Sequence, residues 1–120
     1  MIFANREGTI AFWNDAASAL FGHTANEAVG QSLDIIIPEH LRAAHWKGFD
    51  AAMASGETRL SGKPALTRGV HKSGRKLYVE MTFAVVNDDA ATVIGSVAIA
   101  RDVTERVERE RAAKAGASGA

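Results

Sequence analysis

Leu77-Tyr78-Val79-Glu80-Met81-Thr82-Phe83-Ala84-Val85 decides the architecture. Leu77, Val79, Met81, Phe83 and Val85 alternate with Tyr78, Glu80, Thr82 and Ala84. A period of two sends successive side chains to opposite faces of a strand, so one face is apolar and the other more polar. One-sided alternation of this kind belongs to an antiparallel sheet. Upstream, Lys72-Ser73-Gly74 supplies a hairpin turn. Arg59 to Val70 is the strand expected before it, interrupted at Gly62 and Pro64 as an edge or bulge would be. Downstream, Asn87-Asp88-Asp89 is a turn, and Thr92 to Ala100 is the last strand.

The period changes before Gly56. Leu41, His45, Phe49 and Met53 recur every four residues, with Ala44, Gly48 and Ala52 in a second row beside them. This spacing predicts a long helix over Leu41–Ser55, closed by Gly56. Shorter helices are expected for Ala16–Phe21, capped by Asn14 or Asp15 and ended by Gly22, and after the capping box Thr24-Ala25-Asn26-Glu27. Ser32 caps a further helical turn through Ile35, and Pro38 marks a boundary. The first 13 residues read as a hairpin that turns at Asn5-Arg6-Glu7-Gly8. Two strands, several small helices and three strands make an α+β domain with one antiparallel sheet. Thr104 to Lys114, rich in charge and alanine, predicts an amphipathic helix leaving the domain, followed by a frayed tail over Ala115–Ala120.

Composition narrows the function. The chain has 120 residues, 47% of them apolar and 23% charged, and its 14 basic side chains balance 14 acidic ones. Zero net charge argues against nucleic acid or an anionic membrane as partner. With no cysteine, disulfides, thiolate metal sites, cysteine nucleophiles and cysteine-linked chromophores are excluded. Apolar runs such as Ile35-Ile36-Ile37 are no longer than four residues, far short of a membrane span, and no secretory signal stands at the start. The expected location is cytoplasmic. No nucleophile–base pair, phosphate loop or dinucleotide fingerprint is present, so the domain is read as non-enzymatic.

Several short segments, in order, resemble the PAS domain, a sensory module of bacterial signalling proteins. They are Asn5-Arg6-Glu7-Gly8-Thr9-Ile10 with Trp13-Asn14, Phe21-Gly22 with Glu27-Ala28-Val29-Gly30, Ile37-Pro38-Glu39, Lys72-Ser73-Gly74-Arg75 and Arg101-Asp102-Val103-Thr104-Glu105-Arg106. The resemblance covers about residues 1 to 107. It implies a PAS fold: a five-stranded antiparallel sheet with short helices, one long helix packed over one face, and a C-terminal signalling helix. The expected division is a sensor over 1–102, the signalling helix over 103–114 and a flexible tail over 115–120. The resemblance further implies an input fragment whose chain continues upstream and whose effector is elsewhere. Asp102 and Thr104 would cap and orient the exit helix, relaying the signal.

The resemblance also implies a cavity between sheet and long helix. Ile37 to His45 is similar to the same segment of oxygen-sensing heme PAS domains, in which the histidine at the position of His45 is the proximal iron ligand. On this reading heme b lies against His45, Gly48, Phe49 and Ala52, between walls from Leu60, Leu77, Val79, Met81 and Phe83, with Arg59 and Lys63 at the propionates. Met81 is a candidate sixth ligand. The distal position where oxygen sensors usually carry arginine is Ala65, which favours carbon monoxide, nitric oxide or redox sensing. The alternatives are a non-covalent flavin stacked on Trp13 or Trp46, a small organic acid met by Arg59, Lys63 or Arg68, and a cofactor-free homodimerisation module using Tyr78 and the outer sheet face. His23, His40 and His71 are read as solvated turn residues.

Overall fold

A computed structural model describes residues 1–56 and 64–119. The chain forms strands β1 (Ile2–Asn5) and β2 (Ile10–Trp13), then helices α1 (Asp15–Phe21) and α2 (Ala25–Ala28). Two 3-10 turns, Leu33–Ile36 and Glu39–Leu41, lead into the long helix α3 (Arg42–Ser55). Strands β3 (Ala65–Val70), β4 (Lys76–Asn87) and β5 (Val93–Asp102) precede the last helix, α4 (Thr104–Gly119). All strand pairs are antiparallel, in the order β2-β1-β5-β4-β3. The expected α+β architecture with a five-stranded antiparallel sheet is therefore present. Arg59, Leu60 and Lys63 lie outside the described residues.

Register divides the two faces as the alternation requires. Met81 stands opposite Ala65 and Ala100, and Phe83 opposite Ala98. With Ile2, Ala4, Leu77 and Val79 these form the inner face, which packs on Phe21, Leu33, Ile36, Phe49 and Met53. Burying apolar area of this kind is the main term holding the domain together. The outer face keeps large apolar side chains in water: Phe12, Leu66 and Ile99 are 46%, 57% and 62% exposed.

Local caps form as the residues dictate. Asn14 accepts a hydrogen bond from the Ala17 amide, and Gly22 and Gly56 end their helices at φ 82° and 75°. The Thr24 hydroxyl accepts from the Glu27 amide at 3.2 Å, and the Glu27 carboxylate accepts from the Thr24 amide at 2.9 Å. Glu27 also meets Lys72 of the β3–β4 turn. The Lys72 ammonium, helped by the Thr24 amide, lowers the Glu27 carboxyl from its ordinary 4.5 to about 2.

Strand and helix ends shift by a residue or two from the sequence reading at α1 and β5, and more consequentially at α3 and α4. Helix α3 starts at Arg42, because Glu39–Leu41 is wound as a 3-10 turn after Pro38. The helical backbone of α4 runs past Lys114 to Gly119. Alanine at 112, 113, 115 and 117 has the highest helix propensity and outweighs the neighbouring glycines.

Candidate functional site

A cavity of about 590 Å³ lies between the inner sheet face and the helical layer. That is within the roughly 300–1,000 Å³ range of small-molecule sites. Its walls are mostly apolar. Strand β1 supplies Ile2 and Ala4, α1 supplies Phe21, and β4 supplies Val79, Met81 and Phe83. The 3-10 turn supplies Leu33 and Ile36, and α3 touches the cavity only through its first turns, at Ala44 and His45, with Leu41 just before them.

His45 is held by aromatic neighbours. Its ring meets Trp46 edge-on at 4.8 Å and stacks on Phe49 at 6.0 Å. The Trp46 indole N–H donates to Asp34 Oδ1 at 2.7 Å. The Arg42 guanidinium donates to the carbonyls of Ile37 and Asp34 at 3.1 and 3.2 Å. Arg42 and Trp46, one helical turn apart, thus fasten the start of α3 to the turn around Asp34 and fix where His45 enters the wall. His45 Nδ1 is buried without a hydrogen-bond partner among the described residues. Burial lowers the imidazole pKa from its ordinary 6.5, against the opposing charges of Asp34 and Asp50, so the ring is neutral at pH 7.

A folded-state pKa below the unfolded one means that the unfolded chain binds more protons between the two values. The contribution of His45 to stability is complete above 6.5 and is lost as pH falls through the lower folded value. The midpoint of thermal unfolding is therefore expected to fall as the pH drops below 6.5, and less so in His45→Phe. Glu27 loses its contribution in a separate, more acidic window, between 4.5 and about 2. Equal slopes in the two proteins just below neutrality would contradict the assignment.

The other expected site residues divide into two groups. Val79, Met81 and Phe83 line the cavity with His45. Phe49 is buried in the core and Ala52 packs against it, while Leu77 reaches a second cavity of about 330 Å³. The structure does not bring Gly48 to the cavity: it is exposed, and a Cβ there would meet nothing within 4 Å. The helix row through Gly48 lies about 100° around the axis from the His45 row. Once Phe49 fills the interior, the later turns of α3 have no cavity to line. Ala65 lies on the inner face opposite Met81. His23, expected in water, is half-buried beside Trp13, whose ring centre lies 6.2 Å from its own, and its Nε2 has no hydrogen-bond partner among the described residues. His40 is exposed as expected, and the His71 ring bonds to Ser73 of its own turn.

At the exit from the sheet, Asp102 Oδ1 accepts from the Thr104 amide at 2.9 Å. The Thr104 hydroxyl accepts from the Tyr78 amide at 2.9 Å and donates to the Tyr78 carbonyl at 3.3 Å. Val103 and Val107 are buried beneath the first turn of α4. A cavity on one face and an exit helix hydrogen-bonded to the strand that lines it are thus joined through β4. The PAS fold family matches residues 1–108. The chain belongs to the PAS family.

This PAS domain is 27% identical over 111 residues to the oxygen sensor protein DosP of Escherichia coli. It is 28% identical over 113 residues to an uncharacterised protein of Azorhizobium caulinodans. The alignments take in 92% and 93% of this chain but only 14% and 15% of those proteins. A PAS domain from Colwellia psychrerythraea superposes with a TM-score of 0.75 at 20% identity, covering 87% of this chain and 85% of that one. An RNA-binding light-oxygen-voltage receptor superposes at 0.71 with 25% identity, covering 98% of this chain and 32% of that one. The expected family and fold are thus borne out, as a sensory module of the kind found in signalling proteins. No helix among the described residues is long and apolar enough to cross a membrane. The sequence reading of this PAS domain missed the 3-10 turn residues Leu33 and Ile36 and the exit-helix residue Arg111 as cavity lining. The Leu33-Asp34-Ile35-Ile36 pattern was a usable signal for the first two; nothing local marked Arg111.

Proposed function

We propose that the domain is a non-enzymatic sensor that takes an apolar-bodied ligand into its cavity, with His45 as the residue that would hold heme iron. The neutral, partly unpaired His45 imidazole in the wall of an apolar cavity carries this reading. A neutral ring needs no proton loss before it ligates a metal. The residues present fit the group: the walls are apolar, the cavity has room, and Met81 stands in the lining as a second soft donor. Heme would supply an iron centre that responds to a diatomic gas or to redox state. The similarity to DosP, named an oxygen sensor, supports the same reading. Ala65 at the usual distal arginine position favours carbon monoxide, nitric oxide or redox change over oxygen as the signal.

The chain's own part in signalling is mechanical. Occupying the cavity presses on β4, and β4 holds the exit helix through Tyr78 and Thr104. A ligand that binds two arrangements of this junction unequally shifts their balance toward the one it prefers. Titrating the purified protein with hemin tests the reading. A saturable Soret band is expected, with at least tenfold weaker binding by His45→Ala; one lost contact of about 1.4 kcal/mol accounts for that factor. An unchanged titration in the variant would remove His45 as ligand.

Homodimerisation through the outer sheet face is a second component of the proposal. Phe12 and Ile99 stand exposed on that face, on strands separated by β1 alone, and exposed apolar side chains on one sheet face are available to a second copy. Sedimentation should show a dimer that Ile99→Lys weakens; a monomeric wild-type protein would exclude this component.

A further inference from the structure

The large cavity does not end at the inner face of the sheet. β3 is an edge strand, and the lining takes in Thr67 and Gly69 from one face of it and Leu66 and Arg68 from the other. Beyond β3 the lining reaches Tyr78 and then Arg111 of the exit helix. The Arg68 guanidinium stands 5.7 Å from the centre of the Tyr78 ring, and that of Arg111 stands 5.0 Å from it. Among the described residues neither arginine has a carboxylate partner. The charged or titratable side chains described in the lining, apart from the Tyr78 phenol, are His45, Arg68 and Arg111, and no described carboxylate lines the cavity. The smaller cavity beside it shares Arg68 and Arg111 and adds His40 and Lys76, again with no described carboxylate. In a chain of zero net charge this is a local concentration of positive charge. Two guanidiniums gathered on one ring repel each other, and an anion placed between them relieves that repulsion while accepting their N–H groups in pairs.

Resting on the sensor reading above, we infer that the ligand carries a carboxylate on its apolar body, and that Arg68 and Arg111 bind it at the β3 edge. The contact ties the ligand directly to α4. Arg111 lies one helical turn beyond Val107 and two beyond Val103, on the stripe that docks the helix. An occupied anion site therefore adds a tie at Arg111 to a helix that Val103, Thr104 and Val107 dock at its base and that Arg106 and Arg111 hold against Glu80 and the Tyr78 ring. Strand β4 need not move for the signal to reach the helix.

Calorimetric titration with dodecanoate, 1-dodecanol and hemin tests this. Dodecanoate should bind at least about tenfold more tightly than dodecanol, the worth of one charge-assisted contact. Arg68→Gln and Arg111→Gln, both at exposed positions, should each reduce that preference, and the double variant should remove it. Dodecanoate should also slow amide exchange in α4 around Arg111 in the wild type and not in Arg111→Gln. Weakened hemin binding in the same variants, with the Soret position kept, would identify propionates as the bound carboxylates. An effect confined to dodecanoate would identify a lipid-like acid. A preference for dodecanoate that both variants retain overturns the anion site, as does equal binding of acid and alcohol, while the cavity reading stands. Failure of all three probes to bind the wild type removes both.

Discussion

Replacing Gly8 by alanine is expected to cost the domain about 3 kcal/mol, from a forced positive φ and from overpacking together. Gly8 sits at φ +81° in the β1–β2 turn, where its amide donates to the Asn5 carbonyl and its own carbonyl accepts from the Leu33 amide. A Cβ at this position would stand 2.2 Å from two carbons of the Trp46 ring. The ring cannot simply swing aside, because its N–H is committed to Asp34 and its edge rests on His45. The turn glycine and the cavity histidine are thus linked through one indole. Urea denaturation of Gly8→Ala in the wild type and in Trp46→Leu checks this. In the second background the steric part should vanish, leaving the cost of the backbone alone. Equal losses in both backgrounds would show that Trp46 is not what Gly8 accommodates.

Phe21→Ala is expected to remove about 3–5 kcal/mol, the usual cost of deleting a buried aromatic ring. Phe21 is 1% exposed and packs on Trp13 with ring centres 5.7 Å apart. A Cβ on Gly69 would come within 3.1 Å of its ring, so the edge strand has been cut to fit it. Because Phe21 already borders the cavity, its loss widens an existing void, which the surrounding backbone is poorly placed to close. Domains of this size hold about 5–15 kcal/mol in total, so Phe21→Ala should be marginal at room temperature. A ligand that fills the cavity should restore part of the loss by mass action. A fall below about 1 kcal/mol in chemical denaturation would contradict the burial of this ring in the working core.

Much of the fold was legible because its signals are local. The alternation from Leu77 to Val85, the Thr24–Glu27 box and the glycines ending α1 and α3 each act within a few residues, and each formed in place. His45 was legible for the same reason, since the row Leu41, His45, Phe49, Met53 identifies the inward side of α3. Depth along that row was not legible. Whether a side chain on it meets a cavity or solid core depends on what the sheet offers opposite, and so His45 faces space while Phe49 and Met53 fill it. Gly48 looked like a shelf for a flat ligand but lies on the water side. Asp34, Arg42 and Trp46 carry no shared local signal, and only the tertiary fold brings them into one hydrogen-bonded cluster. Arg111 reads as one charge among many on a polar helix. Its place beside the cavity follows from the docking of Val103 and Val107, which no single stretch of sequence encodes.

A crystal structure of the protein equilibrated with hemin, recorded at the iron absorption edge, tests the central claim most directly. The account predicts one anomalous peak inside the cavity, at bonding distance from a ring nitrogen of His45. An iron peak on His23, His40 or His71, or an interior that stays closed to hemin, would contradict it.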